Sequence, residues 1–452
     1  MSGIFLFLAY APFWQSWALW VYLFFLYRHE KQRRTLWQPL ITWLIFHVIQ
    51  YHWLIYPLQE KAGLNWPLSA FFVLVASSIH TSVLISLLWV RRQSTWGERF
   101  PVTSWVVIGL GFEWLKASLL GGFPWVTVAI SQMSFGFSSM LPLLGQMGTC
   151  AFVFAFTGLL VERFRNALWL LLIVLVMSVY PFTQHSVHNQ LIRVYQISNE
   201  DPPAHFRYVL DLMEQAQALN GSVIIFPEGT ISTNMEWLGA IRQHIMSSDS
   251  ALLLGVNLQR DDGTVTNSAA SANDQYDKKK LVPFGEVLPF GLGWMNQSIF
   301  SFPYVVGSQS HPVKLMNQLY NIMICYDIFF PDRYLLFGQL PMILLIDDHW
   351  YQDSWVREYH FRQAKMVSQI LGQNLISSSA DGVTGFIEQD QVDILDIKAQ
   401  GFITRYLKVH EHHGLLFIPW IEWLFSWLAI IGIVIYSLDA IFGKKRVKRK
   451  HL

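Results

Sequence analysis

Asn321-Ile322-Met323-Ile324-Cys325-Tyr326-Asp327-Ile328-Phe329-Phe330-Pro331-Asp332 is the stretch on which the fold turns. A short apolar run ends on a cysteine, and an acid and a Pro-Asp turn signal follow. The pattern predicts a buried strand that delivers Cys325 to its exposed end, with a helix starting near Asp332. A free cysteine so placed is by itself a small buried hydrophobe. Only polar company turns it into a nucleophile.

The surroundings of this stretch, residues 184–414, have ordinary soluble composition. Residues 191–198 (LIRVYQIS), 222–229 (SVIIFPEG), 251–259 (ALLLGVNLQ), 321–327 and 342–348 (MILLIDD) read as strands. Residues 203–219, 234–247 and 356–371 read as helices, and 374–389 as a strand hairpin. Strand-helix alternation followed by hairpins argues an α/β layer structure.

The rest of the chain is of another kind. Of 452 residues 53% are hydrophobic, with 20 Trp and 33 Phe, and only 14% are charged. A soluble globular protein carries roughly 25% charged residues, so a membrane protein is expected. Runs long enough to span a bilayer fall near 9–27, 37–57, 66–90, 103–120, 138–161 and 415–442, and a shorter one at 167–183 brings the expected bundle to about seven spans. Residues 1–8, ahead of the Ala11-Pro12 break, extend the first span or form a re-entrant half-helix. The division expected is a helical bundle over 1–183, an inserted α/β domain over 184–414, and a final span with a basic tail over 415–452.

Basic residues set the orientation. Arg28, Lys31, Arg33 and Arg34 follow the first span, Arg91, Arg92 and Arg99 the third, Arg163 and Arg165 the fifth, and the tail ends KKRVKRK. The positive-inside rule places these segments in the cytoplasm and residues 184–414 on the far side, the periplasm of a Gram-negative cell. The tail is read as a topology anchor. A net charge of +1 gives no reason to expect a nucleic-acid partner. Cys150, in an apolar run, is read as a buried core residue, and with Cys325 the only other cysteine a disulfide framework is excluded.

Three strand ends each offer a polar group. Glu228 follows the run VIIFP, at the carboxyl edge of a sheet where ligands bind in α/β folds. Lys278 lies in YDKKKLVPFGE, with Glu286 past a Pro-Phe-Gly turn. Cys325 completes the set. A thiol must lose its proton to attack a carbonyl, and a nearby carboxylate can accept it. An ammonium beside it favours the thiolate and can stabilise the oxyanion of a tetrahedral intermediate.

FPEG, YDKKKLVPFGE and ICYD, in that order and at the ends of alternating strands, resemble the nitrilase superfamily of carbon-nitrogen hydrolases. The resemblance implies an αββα sandwich with Glu228, Lys278 and Cys325 as the Glu-Lys-Cys triad and Glu286 as the supporting second glutamate. A nitrilase domain inserted between membrane spans is similar to one group, the apolipoprotein N-acyltransferases. In the membrane half, Phe112-Glu113-Trp114-Leu115-Lys116 followed by Gly122-Phe123-Pro124-Trp125 resembles that family's EWLR and GFPW segments. Tyr51-His52-Trp53-Leu54 and Ala9-Tyr10-Ala11-Pro12-Phe13 have counterparts there as well.

Membership implies a ping-pong reaction. Cys325 takes an acyl chain from a phospholipid, typically phosphatidylethanolamine, as a thioester, and passes it to the α-amino group of a diacylglyceryl-cysteine at a lipoprotein N-terminus. Tyr326 and Asp327, the latter a Glu in most of the family, and Trp350 would support the nucleophile. The resemblance also implies that Glu113 and Trp125 touch substrate. Ile346-Asp347-Asp348-His349-Trp350-Tyr351-Gln352 stands where the family has SNDAWFG, and Ser379-Ala380-Asp381-Gly382-Val383-Thr384 where it has TNNGVT. The gating arm after the first strand is reduced to Ser198–Pro203. These departures spare the triad and leave open the acyl acceptor: another amine in a diverged paralogue, water in an amidase, or no turnover in a pseudo-enzyme that binds lipidated proteins.

Two histidine-bearing clusters suggest metal and are not expected to bind it. Asp347, Asp348 and His349 are adjacent on a strand and point different ways. His410, His412 and His413 fit a polar linker. No cofactor is expected. Glu113 and Lys116, three apart on one helical face, are read as a mutual pair or as a contact to a lipid headgroup.

Overall fold

In the computed structural model, the described residues are 3–178, 185–197, 211–215, 221–246, 250–288, 303–351, 354–388, 391–395, 401–411 and 418–449, apart from positions 61, 135 and 284. They divide into two compact units. The first comprises 1–55, 65–181 and 415–452, and the second 56–64 and 182–414.

Among the described residues, three helices of the first unit are long and apolar enough to cross a membrane: Trp66–Gln93, Phe137–Glu162 and Pro419–Phe442. The runs expected at 9–27, 37–57 and 103–120 correspond to shorter helices, Ser16–Lys31 (16 residues), Trp37–Tyr51 (15) and Pro101–Ser118 (18). Residues 3–8 form a separate helix ahead of the break at Ala11-Pro12. The run at 167–183 is helical within Phe164–Ser178, and its end lies outside the described residues.

Carboxylates tie this unit together where backbone hydrogen bonding lapses. The helix Leu141–Glu162 is broken at Gly145 (φ 64, ψ −166). The buried Glu422 carboxylate accepts the freed N–H groups of Gln146 and Met147. An anion at a helix N-terminus is favoured by the dipole, and unmet N–H groups are expensive in lipid. Asp439 likewise accepts from Ser94 Oγ (2.7 Å) and the Trp96 amide (3.1 Å).

The second unit is a two-sheet sandwich. Its strands are β1 (His185–Gln196), β2 (Ser222–Ile225), β3 (Ile231–Asn234), β4 (Ala251–Gln259), β5 (Val265–Ala270), β6 (Gln275–Asp277), β7 (Val313–Leu315), β8 (Gln318–Ile324), β9 (Met342–Asp347), β10 (Leu375–Ala380), β11 (Gly385–Glu388), β12 (Gln391–Ile394) and β13 (Gly401–Glu411). The first sheet runs β13-β1-β2-β4-β5-β6 with β3 beside β4, and the second β12-β11-β10-β9-β8-β7. The strands β1, β2 and β4 are parallel to one another, as are β8, β9 and β10. Parallel strands covered on both faces are near-continuous apolar runs, as SVII and MILLID are.

Alternation then assigns each residue to a layer. Val223, Ile225 and Leu253 of the first sheet meet Ile322, Ile324, Ile343 and Leu345 of the second in the inter-sheet core. Ile224, Phe226 and Leu252 face the other way, against Leu238 and Ile241 of the helix Met235–Met246. The helix Val356–Leu371 connects β9 to β10 and covers the second sheet with Met366, Val367 and Ile370 buried. This is the αββα layering that the resemblance implies.

Of the helix expected at 203–219, only 211–215 is described, and it is helical. The hairpin at 374–389 is β10 and β11, paired antiparallel at Leu375–Ile387.

At Gly255 in β4, a Cβ would sit 2.0 Å from the Pro227 carbonyl oxygen and 2.6 Å from Glu228 Cα. Neither backbone atom can yield without moving the Glu228 turn. Gly255→Ala should therefore destabilise the protein by about 3 kcal/mol. The check is a lowered unfolding temperature of detergent-solubilised protein, followed by tryptophan fluorescence.

Candidate active site

Four strand ends converge on one small cavity. β2 leads into Glu228, β6 into Lys278, β8 into Cys325, and β9 ends at Asp347. A cavity of about 50 Å³ is lined by Glu228, Lys278, Glu286, Cys325, Asp347 and Trp350, together with Pro57, Asn267, Tyr304 and Tyr351. That volume accommodates a few reacting atoms at a time.

Cys325 sits at the pivot. Its backbone has φ +47°, a left-handed conformation unusual for a side-chain-bearing residue. The strand stops at Ile324, and a 3₁₀ turn, Cys325–Phe329, begins on the cysteine. Holding a non-glycine residue there costs on the order of 1 kcal/mol, strain typical of positions that must aim one group.

Lys278 is 1% exposed, and its ammonium donates to Glu286 Oε1 (2.7 Å) and Glu228 Oε1 (3.1 Å). Burial pulls its pKa down, but the Glu228 and Glu286 charges more than offset this and hold it well above its usual value. Glu228 accepts two further hydrogen bonds, from Asn267 Nδ2 (2.5 Å) and the Asp347 amide (2.8 Å). Glu286 Oε2 takes the Val282 amide (2.8 Å), which closes the turn that presents it. Burial pushes the Cys325 thiol up, Glu228 adds to the push and Lys278 opposes it. An ammonium between two carboxylates leaves the site one negative charge in excess, so an extra thiolate there requires somewhere for its proton to go.

Asp327 fastens the Cys325 turn to the lysine segment. Its carboxylate accepts from the amides of Lys280 (2.8 Å), Lys279 (3.2 Å) and Ile324 (3.3 Å) and from Tyr276 Oη (2.9 Å). Tyr326 packs on Phe329 and Phe330 and does not line the cavity. Trp350 does line it, donating from Nε1 to Asp347 Oδ2 (2.7 Å). Asp347, standing where the family has Asn, thus binds Glu228 through its amide and Trp350 through its carboxylate.

Asp347, Asp348 and His349 diverge to three separate partners. His349 pairs with Asp381 (2.9 Å), while Asp348 Oδ1 accepts from His360 Nδ1 (2.6 Å). The opposite edge of that imidazole, Nε2, lies 4.0 Å from Cys325 Sγ. The sequence reading passed over both His360 and Asn267. The only local signs were an imidazole within the amphipathic helix Val356–Leu371 and an Asn inside the strand VTNSAA.

Glu113 and Trp125 belong to the first unit. Lys116 donates to Glu113 Oε1 (3.2 Å) and to the carbonyls of Val126 (3.2 Å) and Trp125 (3.3 Å), and the Val128 amide donates to Glu113 (3.1 Å). The pair staples the GFPW turn, and the Trp125 ring packs 4.8 Å from Trp53.

Residues 2–160 match the family model described as the apolipoprotein N-acyltransferase N-terminal domain. An apolipoprotein N-acyltransferase of Haemophilus ducreyi is 25% identical over 348 residues, 65% of this chain and 67% of that protein. One from Pasteurella multocida is 24% identical over 446 residues, 86% of this chain and 84% of that protein. The chain is similar to the apolipoprotein N-acyltransferases at low identity. With the enzyme of Photobacterium profundum, at 26% identity, the match spans only 62% of either chain. Among solved structures, a CN-hydrolase superfamily protein of Xanthomonas campestris is 17% identical, with a TM-score of 0.37, covering 49% of this chain and 91% of its own. Nit3 of Saccharomyces cerevisiae, of the nitrilase superfamily, is 12% identical with a TM-score of 0.38, covering 54% and 94%.

Lys278→Met leaves Glu228 and Glu286 buried without their shared counter-charge. It should lower stability by about 3–5 kcal/mol, seen as a drop in unfolding temperature that adding Glu286→Gln partly reverses. Asp327 provides a pH test. Burial pushes its carboxyl up to about 6, against Lys278 and its own donors. An acid raised in the folded state binds a proton there first, so its contribution to stability is fullest below about pH 4 and is lost as pH rises to about 6. The loss is about 3 kcal/mol. Unfolding temperature measured from pH 4 to 7 should fall over that window in the wild type and stay flatter in Asp327→Asn.

Proposed function

We propose that the chain is an integral membrane acyltransferase of the cytoplasmic membrane of a Gram-negative cell, with about seven spans and residues 184–414 in the periplasm. Its donor is a phospholipid, phosphatidylethanolamine by preference, and its acceptor the N-terminal amine of a diacylglyceryl-cysteine lipoprotein. Cys325 attacks the ester carbonyl and carries the acyl chain as a thioester, with Glu228 as general base and Lys278 as oxyanion stabiliser. Glu286, Asp327 and Trp350 hold these groups in place, Tyr326 supports the nucleophile turn from behind, and Glu113 and Trp125 serve the lipid substrate.

The observation that carries this reading is the buried ammonium shared by Glu228 and Glu286 at a cavity that Cys325 also lines. A solvated lysine would need no second glutamate. One placed to meet a developing negative charge must be kept protonated while dry, and two carboxylates achieve that. The names of the relatives support an apolipoprotein as the acyl acceptor.

The test is the intact mass of detergent-purified protein incubated with phosphatidylethanolamine, beside Cys325→Ala. A hydroxylamine-labile acyl increment on the wild type alone is expected. Its absence in a folded protein would exclude the phospholipid-thioester reading and favour an amidase or a protein that binds lipidated partners without turnover.

A further inference from the structure

Most basic residues near the C-terminal end of the helix Ser16–Lys31 are spoken for. Lys31 pairs with Glu162 (3.0 Å), Arg33 with Glu98, and Arg92 with Glu30 (2.6 Å). Arg28 and Arg34, both exposed, have no carboxylate partner among the described residues. These two line a cavity of about 330 Å³ in the first unit, together with His29, Gln32, Gln38 and Thr42. No acidic side chain lines it. Orientation by charge needs only basic residues on one side of the membrane. It does not require two of them to be left without partners around one hollow.

The backbone brings them to the same place. The Arg33 amide donates to the Glu30 carbonyl (3.0 Å) and the Arg34 amide to the His29 carbonyl (3.3 Å). This paired ending needs a left-handed residue at position 33, where glycine is usual. Arg33 adopts it, with φ +50°. The reversal returns Arg34 to the cavity that Arg28 lines six residues earlier. His29 Nε2 donates to the Thr35 carbonyl (2.8 Å) and pins the segment after the turn. The next wall is the start of the helix Trp37–Tyr51, which has no side-chain cap and no acid in its first turn, so the positive end of its dipole is not neutralised there. Further back on the first helix, the buried Tyr22 also lines the cavity, and its hydroxyl has no acceptor among the described residues. Leu26 and the exposed Phe25 give the cavity an apolar side.

We propose that this cavity binds an anionic phospholipid through its phosphate. Arg28 and Arg34 take the phosphate oxygens by charge-assisted hydrogen bonds, and the lipid's apolar part lies along Phe25 and Leu26. A hollow lined by cations and hydrogen-bond donors on one side and apolar rings and chains on the other suits an oxyanion with an apolar tail. A free inorganic anion uses only the first half of it. Basic pockets between membrane helices recognise lipid headgroups on this principle. The lipid is held there and not turned over, because Cys325 does not line this cavity. In the orientation proposed above it belongs to the leaflet opposite residues 184–414. Only the choice of leaflet rests on that orientation, and binding does not.

The test is native mass spectrometry of the full chain in a non-ionic detergent, titrated with diether phosphatidylglycerol, which has no ester to give up to Cys325. One adduct should bind at least about tenfold more tightly than the matching diether phosphatidylcholine, and Arg28→Gln/Arg34→Gln should weaken it about tenfold. Lys31→Gln/Arg99→Gln removes the same charge from outside the cavity and should stay within about twofold of the wild type. Equal weakening in the two double variants means diffuse attraction and overturns the proposal, as does equal binding of the zwitterionic lipid. Displacement of the adduct by millimolar inorganic phosphate assigns the cavity to a free anion and overturns the lipid. Should the double variant not fold, Arg34→Gln alone carries the test: about threefold weaker binding is expected, and wild-type binding overturns the proposal. The titration needs no turnover, so it and the acyl-mass assay fail independently.

Discussion

The structure of the second unit depends on one ion cluster that is almost wholly buried. Lys278 bridges Glu228, from the end of a parallel strand, and Glu286, from a turn that its own carboxylate closes. Taking three charges out of water is costly, and only mutual pairing with full hydrogen bonding offsets it. Each participant therefore has a second tie: Asn267 and the Asp347 amide on Glu228, the Val282 amide on Glu286, and backbone pairing of Lys278 to Asn267. Asp327 extends the network by binding the amides after Lys278 and before Cys325. The Cys325 turn and the lysine segment are thus set in register by one carboxylate, and their spacing does not rely on loop stiffness.

Much of this was legible in the sequence, for a physical reason. Parallel strands buried on both faces must be unbroken apolar runs, and SVII, ALLLGVNLQ and MILLID are unmistakable against polar turns. Polar residues that directly end such runs are conspicuous, which is how Glu228 and Cys325 stand out; Lys278, in a run of three lysines, is singled out by the resemblance of YDKKKLVPFGE. The edge strand β13, by contrast, reads GFITRYLKVHE, with exposed Phe402 and Tyr406 between charges. It has no apolar run to announce it, and its pairing with β1 is a contact across more than 200 residues. His360 was hidden for a different reason. It reaches Asp348 from twelve residues away, across a turn and onto a helix, so no motif of neighbours contains the pair.

Residues 347–349 show why adjacency misleads at a strand end. Read along the chain, Asp-Asp-His looks like one cluster. In space Asp347 serves Glu228 and Trp350, Asp348 serves His360, and His349 serves Asp381. The pleat that separates neighbours lets a single strand terminus contribute to three structural tasks.

Pro57 belongs to a short helix, Ile55–Glu60, that follows the bundle helix Trp37–Tyr51, yet it groups with the second unit and lines the cavity that holds Cys325. The pocket is therefore discontinuous in sequence by well over a hundred residues. A fragment cut to the sandwich alone would have Glu228, Lys278 and Cys325 and lack a piece of the wall around them. The cavity is in this sense built from two stretches of the second unit, one of which lies far from the other in sequence.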